Sequence, residues 1–165
     1  MPKYETKTEE NKCIFCEIVA GRIPSTIFWE DNKHAAFLSI DPNTEGVTVV
    51  IPKDHFESDV LSLPDEILKD LIVASKKVGN ILRNYFFDVE RVGFIIEGMG
   101  MPHMHVKLFP MHGTEYLKNG EWKQFTSNHD AWFPKYEGFL SSAGGPLADM
   151  EKLRELSKKL KDSQK

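Results

Sequence analysis

His103, His105 and Lys107 alternate with Met104, Val106 and Leu108 along one short run. In a β-strand alternate residues face opposite sides, so the two imidazoles and the ammonium would stand in a row at spacings of roughly 7 Å, with the three apolar side chains facing a core. Such a row repels itself unless an anion lies opposite it or a metal takes one imidazole. Imidazole suits phosphorus chemistry: it is a good nucleophile at neutral pH and a good leaving group once phosphorylated or nucleotidylated. Lys107 would screen phosphate charge during attack, and backbone amides near Gly98 and Gly100 would add donors where no side chain blocks approach. The plain alternative is a solvated strand face carrying two inert histidines.

Periodicity outlines the elements that must hold this run. Residues 13–21 predict a short helix ended by Gly21 as a left-handed cap. Strand-like runs follow at Thr26–Trp29, His34–Ile40 and Gly46–Ile51, separated by turn residues and closed by Pro52. From Ile67 to Tyr85 apolar residues recur at 67, 68, 71, 74, 78, 81, 82 and 85, the pattern of an amphipathic helix. Ser62, Pro64, Asp65 and Glu66 supply its start signals. Strands are expected at Val92–Glu97 and His103–Phe109, and irregular chain over 111–145. Pro146 opens a last helix whose stripe of Leu147, Met150, Leu153, Leu156 and Leu160 needs a partner, either its own domain or a second subunit.

At 165 residues and 41% hydrophobic, the chain can build one real core with a small appendage. A net charge of -4 is an ordinary surface and argues against a polyanion binder. There is no apolar run of ~18 residues to span a membrane. The polar N-terminus lacks the features of a signal peptide, so a cytoplasmic location is expected. Cys13 and Cys16 are too close in sequence for a stabilising disulfide. In a reducing compartment such a pair reads as a metal half-site or a redox motif.

Taken in order, these pieces resemble the histidine-triad (HIT) superfamily over Cys13 to about Phe109. The resemblance rests on Cys13-Ile-Phe-Cys-Glu-Ile, Ala36-Phe-Leu-Ser-Ile40, Gly46-Val-Thr-Val-Val-Ile-Pro-Lys-Asp-His55, the long helix, and His103-Met-His-Val-Lys-Leu-Phe-Pro110. It implies an α+β fold: a five-stranded antiparallel sheet with a long packed helix, here followed by a C-terminal extension ending in a helix, and commonly a homodimer. It implies nucleotidyl hydrolases and transferases acting on an α-phosphate, with His105 as the nucleophile. In branches carrying Cys-x-x-Cys, the matching residues Cys13, Cys16, His55 and His103 would hold a structural zinc, a standard tetrahedral set. The plain alternative is two buried thiols and two hydrogen-bonded histidines.

The chain departs from the family pattern at four substrate-contacting positions. Lys107 stands where the third His is usual, Val47 where a His follows the glycine, and Ser39 where an Asp holds ribose hydroxyls. Met99-Gly100 replaces a Gln-Ser or Gln-Thr pair. Either the site is retuned for another phosphorylated substrate, with Lys107 holding its phosphate, or chemistry is lost and binding remains. Lys107 cannot readily shuttle protons near neutral pH as His does.

The leading expectation is an enzyme, a nucleotide-phosphate hydrolase or nucleotidyltransferase with a covalent His105 intermediate assisted by Lys107. Ser39, Ile40, Gly98, Gly100 and Lys107 would contact a nucleotide or phosphoconjugate. The alternative is a catalytically weak or inactive zinc-stabilised nucleotide-binding or interaction protein. A nucleic-acid end-processing role is disfavoured by the acidic balance. The expected organisation is a flexible tail 1–12, a HIT-like domain 13–112, and an extension 113–165 packing on the domain or the dimer partner. His34 is expected at the surface. His112 and His129 are expected to be structural, with a pocket edge and a lid as their respective alternatives. Trp122, Trp132, Phe133, Tyr136 and Phe139 would pin the extension down or form a flap, and Ser141–Gly145 would be a loop or hinge.

Overall fold

A computed structural model describes residues 8, 12–122 and 147–164. Its elements run α1 (Ile14–Val19), β1 (Ile27–Glu30), β2 (His34–Leu38), β3 (Thr48–Pro52), α2 (Asp65–Tyr85), β4 (Val92–Ile95), β5 (Val106–Pro110) and α3 (Met150–Asp162), with 3-10 turns at Val60–Ser62 and Glu115–Asn119. The strands form one five-stranded sheet in the order β1-β2-β3-β5-β4, with every neighbouring pair antiparallel. This is the expected α+β architecture.

Alternation divides the sheet into two faces. Ala36, Leu38, Val50, Val106 and Leu108 meet Leu71, Ala74, Val78 and Leu82 of α2 and Leu153, Leu156 and Leu160 of α3. Each large side chain buried there contributes roughly 1.5–3 kcal/mol relative to exposure. Leu153, Leu156 and Leu160 of the expected stripe therefore find their partner within their own chain, with Met150 partly buried beside them, whereas Leu147 lies ahead of α3 and is exposed. On the opposite face, Ala35, Phe37, Val49 and Ile51 pack with Phe15 of α1. At six residues α1 is far too short to persist alone, so its helical state depends on this packing. Gly21 (φ 71°) follows it in the left-handed region.

The expected strand from His103 is corrected. Met104 N–H donates to the Phe56 carbonyl (2.9 Å), so the chain leans on the segment after β3 before joining the sheet at Val106. From Val106 the alternation holds, with Val106, Leu108 and Pro110 buried and Lys107 and Phe109 half-buried. The β2 run stops at Leu38, short of Ile40: the Ser39 hydroxyl turns to Asp41 at 2.7 Å as the chain enters its turn. His34, expected at the surface, is buried and bonded to Asp31 at 3.1 Å. The irregular chain expected after 111 contains the 3-10 turn Glu115–Asn119. Trp122 is exposed under the Arg91 guanidinium, whereas Trp132, Phe133, Tyr136, Phe139, His129 and Ser141–Gly145 lie outside the described residues.

Candidate functional site

Four residues from three separate stretches of the chain meet at the N-terminal end of α1. Cys13 caps the helix and Cys16 lies in its first turn, His55 follows β3, and His103 precedes β5. Their ligating atoms lie within 4.8 Å of one another. His103 Nδ1 is 3.5 Å from Cys13 Sγ, 3.6 Å from Cys16 Sγ and 3.3 Å from His55 Nδ1, and His55 Nδ1 is 3.4 Å from Cys16 Sγ. A tetrahedron with bonds of about 2.3 Å to sulfur and about 2.0–2.1 Å to nitrogen has N···N edges of about 3.4 Å and S···N edges of about 3.6 Å. The spacings match those edges, so the donor set fits a tetrahedral metal ion.

Tautomers fit as well. His103 is fully buried, and its Nε2–H donates to the Pro52 carbonyl at 3.0 Å, which leaves the Nδ1 lone pair facing the thiols. Burial pushes the His103 imidazole down to about 4, partly offset by that carbonyl and reinforced by the charges of His55 and His105. A neutral imidazole is the form a metal needs. Burial, followed by the neighbouring Cys13 thiol, pushes Cys16 up to about 11. A bound cation would reverse that balance, because a coordinating thiol is held deprotonated.

On the other side of His103 a cavity of about 340 Å³ opens between α1 and the sheet. Ile14, Phe15 and Ile18 of α1 form one wall, Phe37 and Val49 belong to the sheet, and Met150 at the start of α3 contributes a further side. His105 and Lys107 line it, together with Ser39, Ile40, Asp41 and Gly100. Phe15 bridges the two sites, with its ring edge-on to both His103 (5.7 Å) and His105 (5.8 Å).

His105 is buried, and its Nδ1–H donates to the His103 carbonyl at 2.7 Å, so the lone pair resides on Nε2. Burial holds this imidazole below its ordinary value. The His103 carbonyl opposes that, Lys107 adds to it and Glu97 works against it. An unprotonated imidazole at neutral pH is the nucleophilic form. Lys107 pairs directly with the nearly buried carboxylate of Glu97.

The structure thus brings together Cys13, Cys16, His55 and His103 in one cluster, and Ser39, Ile40, Gly100, His105 and Lys107 around one cavity. Gly98 is not among the residues lining that cavity. It packs against the Ser58 carbonyl, which a Cβ would approach to 2.8 Å. His112 also stands apart, tying Asp88 (3.1 Å) to the Glu45 carbonyl (3.1 Å). Sequence reasoning missed Phe15, Asp41, Glu97 and Met150. Asp41 and Glu97 offered a signal, since each is an acid two residues from a residue already singled out or from a strand end. Met150 offered none.

The HIT domain family profile matches residues 20–114. An uncharacterized HIT-like protein of Methanocaldococcus jannaschii is 34% identical over 116 residues, covering 67% of this chain and 89% of its own. An adenosine 5'-monophosphoramidase of Schizosaccharomyces pombe is 32% identical over 113 residues, covering 68% of this chain and 84% of its own. Among solved structures, a zinc-bound histidine triad family protein from Mycobacterium smegmatis shares the fold at 21% identity, with a TM-score of 0.63 and coverage of 92% and 91%. The chain belongs to the HIT family. Both Cys13 and Cys16, and the whole of α3, lie outside the segment that the family profile matches.

Proposed function

We propose that the protein is a nucleotide-phosphate hydrolase or nucleotidyltransferase that works through a covalent His105 intermediate. The observation that carries this reading is the placement of His105: buried, locked in the Nδ1–H tautomer, and lining a cavity beside the ammonium of Lys107. In the proposed reaction the Nε2 lone pair attacks phosphorus in line. The bond to the leaving group breaks, and the leaving group departs with the electron pair and takes up a proton. Water or an acceptor hydroxyl then attacks the phosphohistidine, the N–P bond breaks, and neutral imidazole returns. Lys107 screens phosphate oxygens as charge builds. Ser39, Ile40 and Gly100 contact the nucleoside, and Gly98 shapes the loop that carries Gly100. The phosphoramidase activity of the fission-yeast relative supports a nucleotide conjugate as substrate.

A second reading is a catalytically weak nucleotide-binding protein. The Lys107–Glu97 pair favours it, since an ammonium held by a carboxylate stands where a proton-shuttling His is usual. Incubation with adenosine and uridine phosphoconjugates, an adenosine 5'-phosphoramidate included, separates the two. Intact mass should show a nucleotidyl adduct that His105→Ala abolishes. Nucleotide binding without adduct or turnover across the panel would reject the enzyme.

We further propose zinc as the ion held by Cys13, Cys16, His55 and His103, in a structural role because four protein ligands leave no open coordination position. Thiolate ligands of this kind fit a reducing, cytoplasmic setting. No helix among the described residues is long and apolar enough to cross a membrane. We also propose a homodimer built on the outer edge of β4, which no strand among the described residues covers.

A further inference from the structure

We propose that the C-terminal extension completes the substrate cavity, with Met150 as the wall against which an aromatic base packs, so that the site selects a nucleotide over a bare sugar phosphate. This rests on the nucleotide-binding reading above and adds to it a residue from a segment that the family profile does not match.

Several contacts fix where Met150 stands. The Ala148 N–H donates to the Ile40 carbonyl (2.9 Å), which seats the chain on the cavity rim just ahead of α3. Asp149 caps the helix, its carboxylate accepting from the Glu151 N–H (2.8 Å), so that α3 begins at Met150. Further along, Ser157 Oγ donates to the Thr26 carbonyl (3.0 Å), and Leu153, Leu156 and Leu160 are sunk in the main core. The cap sets where the helix starts and the leucines set its rotation. Met150 is thereby held at the border of the core and the cavity, partly buried against the one and lining the other.

The strand register puts a base at this end. His105 and Lys107 mark the phosphate end of the cavity. Lys107 lies opposite Val49 on β3, and Val49 lies opposite Phe37 on β2. Ile40, which accepts the Ala148 bond, is three residues beyond Phe37, up to roughly 10 Å at strand spacing. A phosphate at Lys107 leaves the ribose to span that distance past Ser39 and brings the base to Ile40 and Met150. Polar groups there are already engaged. The Ile40 carbonyl takes the Ala148 N–H, while the Thr26 hydroxyl accepts from the Leu38 N–H (3.1 Å) and donates to the Leu38 carbonyl (3.3 Å). Ile23, Pro24, Ile40 and Met150 supply apolar surface on this stretch of the wall. Such a surface suits the face of an aromatic ring, and a flexible, polarisable thioether can close against rings of different outline. A sugar phosphate without a base would leave these side chains facing water.

Nuclear magnetic resonance of the whole chain with methyl-labelled methionine tests this, Met150→Leu assigning the Met150 signal by its loss. The ligand is adenosine 5'-O-methylphosphate, whose phosphate carries a single charge as an α-phosphate link does. Nuclear Overhauser effects should join the base protons to the Met150 methyl group. Met111, exposed and not among the residues lining the cavity, should show none. Met150→Ala should weaken binding of this ligand about fivefold, and that of its base-free analogue, 1-O-methylribose 5-O-methylphosphate, by less than about twofold. Met150→Leu, of similar volume, should stay within about twofold for both. Binding that shifts Met99 and Met101, which also line the cavity, without any base contact at Met150 would overturn the proposal and leave the nucleotide reading standing. Equal losses for the two ligands in Met150→Ala would do the same. No binding of the adenosine ester rejects that reading and the proposal with it. Should Met150→Ala unmoor α3, the wild-type contact alone carries the test.

Discussion

His103 and His105 each give one ring nitrogen to a backbone carbonyl, and they do so in opposite senses. His103 donates through Nε2 to Pro52 and offers Nδ1 to the thiols, while His105 donates through Nδ1 to His103 and keeps its lone pair on Nε2. Two residues of the same type, two positions apart, are thereby committed to different chemistry by which nitrogen is already engaged. The loop leading to them depends on Gly98. At φ 66° the backbone is in the left-handed region, and a Cβ there would come within 2.8 Å of the Ser58 carbonyl oxygen. That neighbour is backbone and cannot swing away. Gly98→Ala should therefore destabilise the fold by about 1–3 kcal/mol in urea denaturation and weaken nucleotide binding as the loop shifts. A change within ~0.5 kcal/mol, the range usual for an unremarkable surface substitution, would show that the Ser58 contact relaxes freely.

Helix α1 serves both sites. Its first turn carries Cys16 and its cap is Cys13, while Ile14, Phe15 and Ile18 wall the cavity. Six residues cannot hold a helix unaided, so ligation at one end should decide whether the wall stands. Stripping metal with a chelator should raise hydrogen exchange across 13–20 and lower affinity for adenosine 5'-O-methylphosphate by about tenfold, and added zinc should reverse both. Unchanged exchange and affinity in demonstrably metal-free protein would uncouple the two sites. Most elements were legible before the fold was known. The 3.6-residue period of 67–85 lies within α2, and the expected strand Gly46–Ile51 overlaps β3 from Thr48 onward. The metal quartet and the His105–Lys107 pair were legible as residue types at fixed spacings. What sequence could not carry was register. Whether Glu97 meets Lys107 depends on how β4 slides along β5. The departure of His103 from the sheet depends on a hydrogen bond to Phe56, far away in sequence.

At the scale of the whole molecule, the sheet divides labour between its faces and its edges. One face is closed by α2 and α3 into the main core, and the other carries α1 and the cavity. The β1 edge is partly covered by α3 and the turn that follows it, through Ser157 Oγ to the Thr26 carbonyl (3.0 Å) and Gln164 to the Phe28 carbonyl (3.2 Å). The β4 edge has no such cover among the described residues, and beside it Phe94 and Ile72 of the adjoining α2 face stay substantially exposed. An open strand edge flanked by apolar side chains is a template for pairing, and a second copy of the same edge satisfies it symmetrically. Sedimentation should give a mass near twice the 18.9 kDa of one chain. Phe94→Glu should yield monomers, because it places like charges across the shared axis, yet it should leave the fold largely intact since Phe94 is 43% exposed in a single chain. A wild type that stays monomeric at high micromolar concentration would remove the dimer and leave the β4 edge to be protected in some other way. The cavity lies against β2, β3 and β5 and draws every lining residue named above from one chain, so a monomeric Phe94→Glu variant should still bind nucleotide.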